Sequence, residues 1–379
     1  MKKGRRQWIW LAIGAVIIAL IVYNLSGSPE WRNFRWDRFW ASIVDARLGL
    51  LGWALVSVFT TYALRAYRWQ CFMSTIKKAS LGVLFAGQVL GFSSIYLIGR
   101  PGEFVRPAYI AKKENVPISA MVAVLVLERI FDSLFLALLL AAWLFFEHVG
   151  PTTPHEQHVL AWVHWGGDGL FVLMGVMVLG LVLFRLHTKG VTEWLLRALH
   201  FLPPRGRNGL RHFLHTFSEG LVVIRDWRVL AKSVASTAAL WVMNTMVFWL
   251  VFRALRGETH HLPWLAAAMT LFCAALGLVI QFPGIGGGYQ VGIILALTGI
   301  FSVSVEKATS AAILLWIIMS VPCLGLGLVL LIREGLTFKK LEALAEEERA
   351  LAEVEEEEVP YRRPTGASLP RSPGAHERE

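Results

Sequence analysis

The stretch Ile118–Phe146, ISAMVAVLVLERIFDSLFLALLLAAWLFF, is long enough to cross a membrane and is apolar apart from Glu128, Arg129 and Asp132. A charged group near a bilayer centre costs at least roughly 2.5 to 3.5 kcal/mol on insertion scales, so such residues usually face a partner, a cavity or a substrate path. The two acids stand at i and i+4 and share one helix face, with Arg129 rotated about 100° from it. They can therefore line one cavity together.

The rest of the chain has the same character. Of its 379 residues 55% are hydrophobic, and further apolar runs lie at 8–23, 48–67, 81–98, 169–186, 229–252, 262–282, 291–301 and 309–332. Runs this long and this free of charge exclude an ordinary soluble core. The expected fold class is an all-α polytopic membrane protein with about seven to nine apolar helices, two of the apolar segments being re-entrant or broken. The first run follows Lys2, Lys3, Arg5 and Arg6 and has no A-x-A-like cleavage site, so it reads as an uncleaved anchor.

Net charge is +10, but the segment 342–358 holds nine Glu against one Arg, so the remainder carries a larger positive excess. That excess sits in membrane loops, and no nucleic-acid partner is expected. Basic clusters mark cytoplasmic loops: the N-terminus; Arg65, Arg68, Lys77 and Lys78; Arg100, Arg106, Lys112 and Lys113; and the long stretch from Arg185 to Lys232. Segments 147–168 and 257–306 contain neither Lys nor Arg. If the second and third clusters share a side, 81–98 must dip in and return, broken at Gly91, Ser93 and Ser94. The pair of runs around Pro283-Gly284-Ile285-Gly286-Gly287-Gly288 reads in the same way as a hairpin entering from the outer side. Units so arranged would be related by inverted topology, the arrangement that puts a substrate site near the midplane. Full crossings by these segments are the alternative.

Arg32, Arg35 and Arg38 alternate with Trp31, Phe34, Trp36, Phe39 and Trp40, which reads as an interfacial anchor. The stretch from Arg205 to Arg228 has apolar residues at helical spacing and is expected on the cytoplasmic surface. The chain divides into a membrane domain, 1–335, an acidic cytoplasmic helix, 336–358, and a tail, 359–379, too polar to fold. Both termini are expected in the cytoplasm, with the protein in the cytoplasmic membrane.

Cys71, Cys273 and Cys323 are isolated and suit packing. His148, His155, His158 and His164 fit no zinc signature, and no G-x-x-x-x-G-K-[ST] loop occurs, so no cofactor is expected. The chemistry concentrates instead in Gly99-Arg100-Pro101-Gly102-Glu103-Phe104-Val105-Arg106. Pro101 and Gly102 permit a sharp break, and guanidinium groups bind phosphate in a bidentate way. Arg100 and Arg106 could hold a lipid phosphate while Glu103 holds an arginine or an amine. The plain alternatives are an ordinary basic loop, and a structural ion pair joining Glu128 and Asp132 to Arg100 or Arg106.

In three ordered motifs, Gly99-Arg100-Pro101-Gly102-Glu103-x-x-Arg106, Glu128-Arg129-x-x-Asp132 and Pro283-Gly284-Ile285-Gly286-Gly287, the chain resembles the membrane domain of lysylphosphatidylglycerol synthase/flippase proteins over roughly residues 48–332. The resemblance implies lipid translocation by a two-sided, re-entrant core, with Pro101, Gly102, Pro283, Gly284, Gly286 and Gly287 as breaks. Gln290 stands where the family often has a Glu. It could still hydrogen-bond a headgroup but would carry no charge. Nothing here could form the soluble aminoacyl-transfer domain of full-length synthases, so aminoacylation of lipid is not expected.

The leading expectation is a non-enzymatic lipid translocator for an anionic phospholipid or a polyprenyl-phosphate-linked lipid. Arg100 and Arg106 would receive the headgroup at the inner face, Glu128 and Asp132 would line its path, Gln290 would act near the outer face, and Glu103 and Arg129 complete the expected lipid-binding set. A membrane transferase with Glu128 or Asp132 as general base is one alternative. A membrane partner of a glycosyltransferase or lipid-modifying enzyme is the other.

Overall fold

The computed structural model describes residues 33–74, 76–146, 227–278, 281–282 and 286–333, with isolated positions between 172 and 193. The first apolar run, nearly all of the run 169–186, the basic stretch 205–226, the acidic segment, and Pro283 and Gly284 lie outside the described residues.

The described chain forms α1 (Trp36–Val44), α2 (Leu48–Met73), α3 (Leu81–Ile98), α4 (Val105–Glu114), α5 (Ile118–Phe146), α6 (Trp227–Ala254), α7 (Trp264–Gly277), α8 (Gly288–Gly299) and α9 (Val305–Arg333). Short 3-10 turns occupy Arg100–Phe104 and Glu258–His261. Besides helices the described residues hold a two-residue antiparallel ladder in which β1 (Gln281–Phe282) pairs with β2 (Gly286–Gly287). Three described helices, α2, α6 and α9, are long and apolar enough to cross a membrane. Trp53, Leu138, Val242, Leu295, Val321 and Leu328 are each roughly half or more exposed on helix shafts. Large apolar side chains so placed suit lipid rather than water.

One boundary differs from the sequence expectation. The run 48–67 reads as ending before a basic loop, but α2 continues to Met73. Arg65 and Arg68 therefore belong to a helix shaft. Ala66, Trp69, Cys71, Phe72 and Met73 are all buried, so packing of an apolar face carries the helix past its two arginines.

Connections fix the direction of each helix. The Arg47 amide donates to the Ala254 carbonyl at 3.0 Å, and deeper in the bundle the Arg68 guanidinium donates to Thr237 Oγ1 at 3.4 Å. Thus α2 and α6 run antiparallel. Helix α9 begins at the same end as α1, where the Arg35 amide donates to Glu306 Oε1 at 3.1 Å and Ser310 Oγ donates to the Phe39 carbonyl at 3.3 Å. It ends among Phe72, Ile110 and Met121, against which Leu331 packs.

Two helical hairpins are built into this frame. In the first, α3 and α4 pack antiparallel: a Cβ on Gly91 would come 2.7 Å from Arg106 Cβ, and one on Gly87 would come 2.7 Å from Ile110 Cγ1. Gly99, at φ 77, makes the turn, in a region costly for residues with a Cβ. Both feet stand at the end away from α1, where the Ser80 amide donates to Glu114 Oε1 at 2.9 Å. In the second hairpin α7 and α8 approach so closely that a Cβ on Gly277 would overlap the Gly288 carbonyl and one on Gly292 the Cys273 carbonyl. Its feet stand at the α1 end, where Glu258 Oε2 accepts from the Ser304 amide at 2.7 Å and from its hydroxyl at 2.9 Å. The two hairpins thus enter the bundle from opposite ends.

Candidate functional site

Where the first hairpin meets α2 and α5, the apolar core gives way to charge. Arg65, Arg68 and Trp69 lie on one face of α2 at i, i+3 and i+4. Glu128 and Asp132 lie on one face of α5, as their spacing predicts. Arg106 opens α4 directly after the 3-10 turn that holds Glu103, and Gln88 and Phe92 face it from α3.

Glu128 is the hub. Its Oε1 accepts from Arg68 at 2.7 Å and from Arg65 at 3.3 Å, and its Oε2 accepts from the Trp69 indole at 2.7 Å and pairs with Arg106 at 2.9 Å. Arg68 also binds Asp132 Oδ1 at 2.6 Å. Arg129 closes the cluster, 3.2 Å from Glu128, 3.5 Å from Asp132 and 3.5 Å from Glu103. Arg106 donates to Gln88 Oε1 at 2.6 Å. The Arg106 guanidinium lies 4.8 Å from the Trp69 ring centroid, and that of Arg65 lies 4.9 Å from the Phe92 centroid. These distances suit cation–π contacts, which strengthen on desolvation.

Burial is graded across the cluster. The side chains of Arg68 and Glu128 are fully buried and that of Arg106 is 3% exposed, whereas Arg129 is 47% exposed. The cluster therefore has a closed floor and one open edge. Among the described side chains four arginines, Arg65, Arg68, Arg106 and Arg129, meet three carboxylates, Glu103, Glu128 and Asp132, which leaves one positive charge in excess.

Trp69 tests the floor. Its indole N–H is a charge-assisted donor to a buried carboxylate, and such bonds contribute about 1.5 to 3 kcal/mol. Trp69→Phe is expected to lower stability by about that amount, read as a drop in the thermal midpoint of the detergent-solubilised protein.

Of the residues expected from sequence, Glu103, Arg106, Glu128, Arg129 and Asp132 come together. Arg100 begins the 3-10 turn beside them. Gly102 approaches α3 closely, since a Cβ there would overlap the Ser94 backbone. Gln290 lies half-buried in the first turn of α8, on the other hairpin. Gly286 and Gly287 form β2, and the φ of 94 at Gly287 makes the entry to α8. Sequence reasoning missed Arg65 and Arg68 as cluster members, and with them Trp69, Gln88 and Phe92. Basic residues at the end of an apolar run read as a loop, although Trp69, Cys71, Phe72 and Met73 beyond them continue the apolar run. Gln88 could have been found as the one amide side chain within Leu81–Ile98. Among the described residues no group of three His, Cys, Asp or Glu could hold a metal ion.

A family model described as the lysylphosphatidylglycerol synthase TM region matches residues 7–327. No match to a curated protein was found.

Proposed function

Because the chain belongs to the lysylphosphatidylglycerol synthase transmembrane-region family, we propose that it is a lipid translocator, moving a phospholipid or polyprenyl-phosphate-linked lipid between the leaflets of the cytoplasmic membrane. The observation that carries this reading is the half-open arginine cluster within an apolar helical bundle. Glu128 lies ten residues into α5, about 15 Å along the helix at 1.5 Å per residue. That is well below a membrane surface if α5 spans. A buried ion network is weak evidence for stability, because apolar replacements of similar volume are often as stable. Its presence here favours a use beyond holding helices together.

The opposed hairpins support the re-entrant reading. The unit α2, first hairpin and α5, and the unit α6, second hairpin and α9, run in opposite senses, which is the relation expected of an inverted repeat with a site between broken elements. Lys77, Lys78, Lys112, Lys113, Lys232 and Arg333 belong to element ends on the side of the first hairpin's feet, which supports a cytoplasmic placement of that side. A headgroup would then enter at Arg129 from the inner leaflet. A working partnership with a glycosyltransferase or lipid-modifying enzyme fits this placement. The transferase reading fits less well, since Glu128 meets at least four donors from Arg65, Arg68, Trp69 and Arg106 with about four lone-pair sites. Little acceptor capacity is left for a substrate proton.

The test is reconstitution into liposomes with acyl-labelled phospholipids and a labelled polyprenyl phosphate, following loss of inner-leaflet protection from a membrane-impermeant quencher. Wild type should move at least one of these lipids. Arg129→Ala should slow it about tenfold or more, the equivalent of one lost charge-assisted hydrogen bond. Its thermal midpoint should stay close to wild type, because the side chain is half exposed. If no lipid moves with folded protein, the translocator reading fails.

A further inference from the structure

We propose that the cluster, entered at its open edge, is a phosphate seat that reaches inward to Gln88, and that it selects lipids of net negative headgroup charge over zwitterionic or aminoacylated ones. The proposal rests on the translocation reading and names its substrate class.

Four guanidinium groups offer five N–H donors each, whereas three carboxylates offer about four lone-pair sites each. Donors are in surplus, as is positive charge. The surplus reaches into the buried part of the cluster. A guanidinium has no acceptor, so Gln88 must present its oxygen to Arg106, and this fixes its amide nitrogen as a donor beside that guanidinium. Gln88 is fully buried, and its Nε2 has no hydrogen-bond partner among the described residues. The Nε of Arg68, also fully buried, is in the same condition. Buried donors of this kind are rare in folded proteins and call for an acceptor.

A phosphate supplies what the cluster lacks. Its oxygens only accept, it carries negative charge, and it takes arginine in paired hydrogen bonds. Arg65 and Arg129, the two arginines with appreciable exposure at 13% and 47% of their side chains, mark the way in. Phe92, beneath the guanidinium groups of Arg65 and Arg106 at 4.9 and 5.8 Å, supplies an apolar wall. Any ammonium group would add positive charge, and a primary one further N–H donors, to a site already in excess of both. Glu103, the carboxylate toward the edge, already lies 3.5 Å from Arg129 among the described side chains. Choline, ethanolamine and aminoacyl headgroups are therefore disfavoured.

The experiment uses the full chain in two arms. In vesicles, acyl-labelled phosphatidylglycerol and acyl-labelled phosphatidylcholine are followed side by side. In detergent, the thermal midpoint is measured with phosphatidylglycerol, phosphatidylcholine or inorganic phosphate added. Phosphatidylglycerol should move about tenfold faster than phosphatidylcholine, the effect of one charge-assisted bond. It alone of the two lipids should raise the midpoint. Gln88→Leu and Arg129→Gln should bring both preferences towards one, and Arg129→Gln keeps the test valid if Gln88→Leu fails to fold. Equal movement of the two lipids with equal midpoints would overturn the phosphate seat and leave translocation standing. A midpoint raised by phosphatidylglycerol and lost in the variants, with no lipid moving, would support the seat and remove translocation. Inorganic phosphate matching phosphatidylglycerol in the midpoint, with the two lipids indistinguishable in vesicles, would overturn headgroup selection in favour of a free anion.

Discussion

Glu128→Gln is expected to cost about 3 to 5 kcal/mol of stability, because removing one partner of a buried ion network leaves the others charged and unpaired. Arg68, fully buried, and Arg106, 3% exposed, both rest on this carboxylate at under 3 Å. Neither can move to water without opening the joint between α2, the first hairpin and α5. Asp132→Asn should cost less, since Asp132 is 12% exposed and its main partner Arg68 keeps Glu128. Thermal melting in detergent, followed by loss of the monodisperse species, ranks the two. A Glu128→Gln protein that melts with wild type would mean that the floor of the cluster is not closed. A double-mutant cycle with Arg106→Leu sharpens the point, because the pair should lose less than the two single changes together. The consequence for function is direct. Lost transport in Glu128→Gln would not separate a headgroup contact from a collapsed scaffold, whereas Arg129, at the open edge, does separate them.

What the sequence made legible follows from where charge stands against apolarity. Glu128 and Asp132 were visible because nothing else in 29 residues is charged except Arg129 between them, and their i, i+4 spacing placed both on one face. Arg106 was visible because Pro101 and Gly102 announce a break before it. Arg65 and Arg68 were hidden by the same rule that helped elsewhere. Basic residues at the end of an apolar run normally mark a cytoplasmic loop, and a snorkelling or loop arginine has the same one-dimensional signature as a buried one. The carboxylates that neutralise them are 60 or more positions away, and no local pattern encodes that distance. Gln88 was hidden for a different reason: an uncharged amide barely disturbs hydropathy, so its burial beside Arg106 is readable only once α3 and α4 are seen to fold back on each other. Gly99 and Gly287 stand at positive φ beside the hairpin turns, but the break expected at Gly91, Ser93 and Ser94 is absent, since α3 runs unbroken through them, and Gly91 is a point of helix contact. Its lack of a side chain makes room for the stem of Arg106.

Gly277→Ala is the second substitution expected to have a large effect, and a glycine elsewhere supplies its control. A Cβ at Gly277 would overlap the carbonyl of Gly288, a backbone atom that cannot rotate away. Overpacking costs typically about 1 to 3 kcal/mol, and a backbone clash belongs at or above the top of that range. At Gly52, in α2, a Cβ meets nothing within 4 Å. There the same change should stabilise by roughly 0.5 to 1 kcal/mol, the ordinary helix preference for alanine over glycine. One substitution type with opposite signs in two helices isolates hairpin contact from helix propensity, with thermal midpoints as the measurement. The effect of Gly277→Ala should also reach beyond stability. Pushing α7 from α8 displaces the first turn of α8, which carries Tyr289 and Gln290, and Tyr289 is seated by its hydroxyl against Met319 Sδ of α9 at 3.1 Å. A translocator that passes its lipid between two hairpins should then lose transport in Gly277→Ala while anionic-lipid binding at the arginine cluster survives, because that cluster is built on the other hairpin. Loss of both together would mean that the two hairpins do not act as separate elements.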